Sequence, residues 1–147
     1  MKHLNETVCG IAGAVGGAIA AAFGGWSHDL TVLVAFMVID YLTGLLAAAM
    51  GKSPKTEGGG LSSVVGWLGL ARKIVTLLLV LVAHGLDVML GVEYVRTAAV
   101  IAFIVNEALS ILENAGLLGV PLPEVFKKVL EVLKGRGEDL PEGSDRK

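Results

Sequence analysis

The chain has 147 residues, of which 54% are hydrophobic, 18% charged and 5% aromatic, with a formal net charge of −2 and one cysteine, Cys9. A mean hydropathy of +0.71 lies outside the range of soluble domains and marks a membrane protein, with room for three or four spans and none for a separate catalytic domain. The near-neutral charge argues against nucleic acid as a partner, the scarcity of aromatics argues against a platform for stacking bases or sugars, and a single cysteine excludes both an internal disulfide and a cysteine-based metal site.

The first apolar run, 8–26 (VCGIAGAVGGAIAAAFGGW), is long enough to span but is built of Gly and Ala and therefore inserts weakly. Gly13, Gly17, Ala21 and Gly25 form a row of small residues four apart, and Gly16, Ala20 and Gly24 form a second. Such rows let helix backbones approach closely in lipid, within one monomer or between copies. The short basic start followed by AIAAA also fits a signal peptide cleaved near Ala22, although Glu6 and the many glycines suit that poorly. Asp29, in the turn 27–29, is the candidate N-cap of the second run, 30–50. Asp40 sits near the middle of that run, where an ionised carboxylate costs about 2.5–3.5 kcal/mol, so it is expected to face protein or water. Thr43, Gly44 and Ala47 share its side of the helix. Two readings stand: an Asp hydrogen-bonded between helices as a packing device, or one on an aqueous path.

The segment 51–63, GKSPKTEGGGLSS, reads as a loop carrying Lys52 and Lys55. The third run, 66–90, places Gly66, Gly69, Lys73, Thr76, His84 and Asp87 along one side, with Arg72 beside them. After the tight connection 91–93, the fourth run, 94–115, gathers Ala99, Phe103, Asn106, Glu107, Ser110, Glu113 and Asn114 with Arg96 on about one third of a helix at about 100° per residue. Val100, Ile101, Ile104, Val105, Leu109, Ile111 and Leu112 form the remaining aliphatic face, expected to meet lipid. Gly116, Gly119, Pro121 and Pro123 are expected to end this helix. Matching depths from Gly91 predicts that Asp87 pairs with Arg96, and that Arg72 and Lys73 cluster with Glu107 to Glu113 near the cytoplasmic face. His84 stands one turn from Asp87 with no second ligand in spacing, so hydrogen bonding on the helix is a simpler role than metal ligation.

The segment 122–135 reads as an amphipathic helix, with Val125, Phe126, Val129, Leu130 and Leu133 opposed to Lys127, Lys128, Glu131 and Lys134. The rest, 136–147, reads as a disordered charged tail. Lys and Arg concentrate in 51–73 and again after Lys127, while the turns 27–29 and 91–93 have none. The positive-inside rule then places both termini in the cytoplasm for four spans; if the first segment does not cross, three spans remain and the N-terminus lies outside or on the surface. The expected fold class is an all-α integral membrane protein: a transmembrane domain, 1–115, of about four helices (8–26, 30–50, 66–90 and 94–115), or three if the first does not span, plus the short C-terminal helix.

Several spaced motifs carry a resemblance. The run NEALSILENAGLLGVPLP, starting at Asn106, is similar to the signature of the toxin-secretion and phage-lysis holin family. Asp40, Thr43 and Gly44 resemble its earlier Asp-x-x-Thr-Gly, Gly66, Gly69, Arg72 and Lys73 its Gly-x-x-Gly-x-x-Arg-Lys, and Asp87 a later Asp in that segment. The likeness covers roughly 38–133 and departs at Ala102 and Phe103, where the family tends to have two aromatics. It implies a holin of the bacterial cytoplasmic membrane, with a cytoplasmic C-terminus, that oligomerises with its own copies in the lipid bilayer and opens a pore or lesion releasing an endolysin or a toxin as cargo. Asp40, Thr43, Lys73, Thr76, His84, Asp87, Arg96, Asn106, Glu107, Ser110 and Glu113 are the candidates for a polar, pore-lining face, and Gly13, Gly17, Gly44, Gly66 and Gly69 for helix packing. A small selective ion or solute channel subunit is the alternative, and a membrane anchor that recruits a partner through its C-terminal helix is a third reading. No catalytic motif, cofactor site or metal set is present in the sequence.

Overall fold

The computed structural model describes residues 2–56 and 58–138, which form five helices and, among the described residues, no strand: α1 (Lys2–Ala22), α2 (His28–Ala49), α3 (Ser63–Leu90), α4 (Val95–Leu118) and α5 (Glu124–Glu138). At 1.5 Å per residue, α2, α3 and α4 are about 33, 42 and 36 Å long, enough to cross a hydrocarbon core of about 30 Å. These three are the helices long and apolar enough to span a membrane among the described residues. They form one unit in which α2 and α4 run parallel and pack most extensively, while α3 runs antiparallel against α4 and touches α2 more lightly.

The first helix ends before the apolar run that it enters does. Gly24 and Gly25 take left-handed backbone, φ 75° and 100°, so the helix closes at Ala22 and the span expected over 8–26 is cut. Its apolar part, from Val8, covers about 15 residues or roughly 22 Å, short of a bilayer crossing. Among the described residues α1 is therefore not counted with the three helices long and apolar enough to cross a membrane. A Cβ added at Gly13 or Gly17 would meet nothing within 4 Å, and Val8, Ile11, Val15 and Ile19 are all exposed. Among the described residues, Gly13, Gly16 and Gly17 of the small-residue rows thus meet no partner inside the protomer, whereas Gly24, beyond the helix end, meets His84.

Helix ends also differ from expectation for local reasons. Ser27, with extended backbone, is the N-cap of α2, which moves Asp29 into the first turn, where a carboxylate suits the helix dipole. Gly116 does not stop α4; it continues helically, and the helix ends at Gly119, which adopts φ 85°, with the Gly119 N–H donating to the Gly116 carbonyl and the Val120 N–H to the Ala115 carbonyl. The C-terminal helix runs three residues past its expected end, so 136–138 are helical and not tail. The remainder of the expected tail, 139–147, lies outside the described residues.

Apolar packing is confined to one half of the three-helix unit. Leu30, Leu33 and Met37 of α2, Val80 of α3 and Val100 of α4 form the buried core, with Phe23, Leu77, Phe103 and Ile104 packed around it. Val100 is fully buried, not lipid-facing as its place on the aliphatic side suggested, because α4 is gripped by both α2 and α3. Ile101 and Val105, one step round the same helix, do remain exposed. Beyond Met37 the small apolar Ala47 is buried as well, and polar groups join the three helices.

Candidate functional site

Continuing along α2 from the apolar core, the next inward-facing residue after Met37 is Asp40. Its carboxylate lies 2.7 Å from Lys73 Nζ on α3, and the same ammonium lies 2.5 Å from the Glu107 carboxylate on α4. One cation thus serves two acids drawn from two other helices, and the three side chains retain only 13%, 13% and 8% of their exposure. Asp40 and Glu107 each stand 12 residues into their helices, about 18 Å from the starts. The cluster therefore sits in the middle of the spans, not near one face as depth matching predicted. Breaking such a pair one-sidedly is costly because it strands a charge out of water.

Asn114 seals the cluster. Its side-chain amide donates to the Asp40 carboxylate at 3.0 Å, to the Asp40 main-chain carbonyl at 3.3 Å and to the Thr43 hydroxyl at 3.1 Å. Thr43 in turn donates to the carbonyls of Ile39 and Asp40. Gly44 faces this amide: an added Cβ there would stand 3.5 Å from the Asn114 amide nitrogen, an ordinary van der Waals contact. Gly66 and Gly69 on α3 face the hydroxyl and ring of Tyr41 at similar range. Asn114 was placed in the polar stripe but not among the candidate site residues. Its heptad spacing from Glu107, which stacks the two on one side of α4, is the signal that identifies it.

Other candidates lie outside the cluster. Thr76, Asn106 and Ser110 line a groove that opens from it toward the 51–62 loop. Arg72 is exposed and lines that groove without joining Glu107, and Glu113 is exposed. Hence Lys73 and Glu107 meet as expected, joined by Asp40, whereas Arg72 does not take part.

At the opposite end, the expected Asp87–Arg96 ion pair is replaced by two separate arrangements. The Asp87 carboxylate accepts the backbone N–H groups of Val95 and Arg96, each at 2.9 Å, and so caps the first turn of α4. The Arg96 guanidinium reaches α2 instead, donating to the Ser27 hydroxyl and lying 3.8 Å from the Asp29 carboxylate. Together they tie the ends of all three spans. The His84 ring lies against Gly24, where any Cβ would collide with it. No group of His, Cys, Asp or Glu suited to a metal ion exists among the described residues.

Comparison with known proteins agrees with this membrane architecture. A family model described as the bacteriophage holin family matches residues 17–135. A probable holin of Bacillus phage phi105 is 32% identical over 118 residues, covering 80% of this chain and 82% of its own length. Uncharacterized proteins of Halalkalibacterium halodurans (39% identical; 80% of this chain, 87% of theirs) and Listeria monocytogenes (43% identical; 74% of each) are also similar. No solved structure matches.

Proposed function

The chain belongs to the bacteriophage holin family, and we propose that it accumulates in the bacterial cytoplasmic membrane as a homo-oligomer and opens a pore or lesion that releases an endolysin or a toxin. The observation that carries this reading is the Asp40–Lys73–Glu107 cluster, a set of charged groups at mid-span that meet one another, with Asn114 also donating to Asp40. In the closed protomer Asp40, Lys73, Glu107 and Asn114 are turned toward one another, and much of the outer surface of the spans is aliphatic. When copies are abundant, the same groups can be satisfied by water or by a neighbouring copy, so closed and open arrangements both leave few polar groups unpaired.

Within this reading the small-residue rows of α1, uncovered in the protomer, meet other copies, and α5 lies along the cytoplasmic surface with Val125, Phe126 and Val129 toward lipid. The positive-inside rule puts the 51–62 loop and the C-terminus in the cytoplasm. The family is not one of enzymes, and no step of bond making is assigned to the chain.

Inducible expression in a bacterial host, alone and with a cytoplasmic peptidoglycan hydrolase that lacks an export signal, tests the proposal. Abrupt loss of membrane potential, followed by a fall in culture density only when the hydrolase is present, is the expected result. Loss of potential without lysis in either culture would mean a hole that passes ions but not folded protein, and would make this a small channel subunit.

A further inference from the structure

The polar groove beside the charged cluster has a counterpart at the other end of the protomer. The groove, about 380 Å³, runs between α2, α3 and α4 past Ser110, Asn106 and Thr76 as far as Asp40, Lys73 and Glu107. The second cavity, about 540 Å³, lies at the α3–α4 hairpin and is lined by His84, Asp87, Glu93, Arg96 and Thr97, with Gly24. Each is roomy and polar enough to hold water, since one molecule needs only about 10–15 Å³ of such volume and a few polar partners. Water in the groove also accounts for two side chains. Arg72 and Asn106, each next in sequence to a member of the cluster, are exposed and line the groove. A guanidinium at that depth costs about 2.5–3.5 kcal/mol if it meets hydrocarbon, and a wet groove removes that cost.

Between the two cavities the spans are sealed by apolar side chains in register. Seven residues from the cluster on every helix, Asp40 to Leu33, Lys73 to Val80 and Glu107 to Val100, stands a side chain with 0% exposure. Met37, Leu77 and Phe103, three or four residues from the same three charges, fill the layer between. Seven residues cover about 10 Å along a helix. One turn further on, His84 and Arg96 already line the second cavity.

We propose that each protomer carries its own path for small inorganic ions, two wet vestibules facing each other across an apolar gate of Leu33, Val80 and Val100 that is closed in this conformation. A constriction of this kind stays shut because water leaves it, and it conducts once it widens or gains polar groups that keep water in place. The path is separate from the protein-releasing lesion: it lies inside one copy and passes no folded hydrolase, so either can exist without the other.

Potassium efflux from liposomes that hold on average a single copy of the full chain tests this. Val80→Thr with Val100→Thr keeps the shape of both side chains and adds two hydroxyls to the gate; it should raise efflux on the order of tenfold over the parent chain, in proportion to the number of copies. Ile101→Thr with Val105→Thr, on the exposed side of α4, should leave efflux unchanged. Unaltered efflux from a gate variant whose helicity and thermal unfolding match the parent's would overturn the proposal. So would equal efflux from the outer-face pair, or efflux that climbs steeply with copy number, the mark of a path between copies. Should the gate variant not fold, thiol labelling decides in a chain whose exposed Cys9 is replaced by Ser. Ser110→Cys and Thr97→Cys should react with a membrane-impermeant reagent from opposite sides and Leu33→Cys from neither, whereas a Ser110→Cys that stays unlabelled from both sides would equally overturn the proposal.

Discussion

Asn114, four residues from the end of α4, donates from its amide to both the carboxylate and the main-chain carbonyl of Asp40 on α2. A helix hydrogen-bonded along its length rarely offers its carbonyl to a neighbouring side chain, and here that carbonyl also accepts from Thr43. The interface between α2 and α4 is therefore specified by polar groups at one end and by Leu30, Leu33 and Val100 at the other. Asn114→Leu, which fills similar space without donors, should cost about 1–3 kcal/mol by leaving these acceptors unmet. Chemical denaturation of the detergent-solubilised chain would measure it.

Lys73 is the only described cation facing Asp40 and Glu107. Lys73→Met should destabilise the protomer by about 3–5 kcal/mol, and the triple variant Asp40→Asn/Lys73→Met/Glu107→Gln should recover most of that loss, since removing a whole buried ion set is far cheaper than removing one member. Thermal unfolding of the two variants side by side decides the point. Expressed in cells, the single variant should collapse the membrane potential earlier than the parent chain.

Asp87 acts through the backbone of α4 and not through Arg96. Asp87→Ala should free the Val95 and Arg96 amides, raising their hydrogen exchange selectively, at a cost of about 1–2 kcal/mol. Exchange at Val80 and Val100, in the core, should change only with global stability.

Two sets of glycines should behave oppositely. At Gly59, φ is 75° and an added Cβ would run into the Gly51 carbonyl, a backbone atom that cannot swing aside. Gly59→Ala should therefore loosen the loop and expose it to protease. Gly13→Ala with Gly17→Ala meets open space and replaces glycine with the best helix former, so protomer stability should be unchanged or slightly higher. Any change in lysis timing would then report contact between copies.

Much of this fold is written in periodicity. The stripes on α3 and α4 and the small polar side of α2 place Lys73, Glu107 and Asp40 on inward faces, because 3.6-residue spacing is fixed by the backbone whatever the neighbours do. What periodicity does not contain is which helix a side chain reaches. Depth matching between α3 and α4 paired Asp87 with Arg96, but the unsatisfied N–H groups at the start of α4 claim the Asp87 carboxylate first, and α2 supplies Ser27 and Asp29 for Arg96. Likewise the Gly/Ala run reads as one apolar stretch, and only the left-handed backbone at Gly24 and Gly25 shows that the helix stops within it.

The central claim is that the polar faces closed against each other in the protomer turn to water on opening. Ala47, 1% exposed on the same side of α2 as Asp40, reports on that interface with minimal disturbance. In a chain whose exposed Cys9 is replaced by Ser, Ala47→Cys would be probed with a membrane-impermeant thiol reagent before and after the membrane potential collapses. Labelling that is absent before collapse and rapid after it is the predicted result. A thiol that stays unlabelled while an endolysin escapes would contradict the claim, because the lesion would then form without separating α2 from α4.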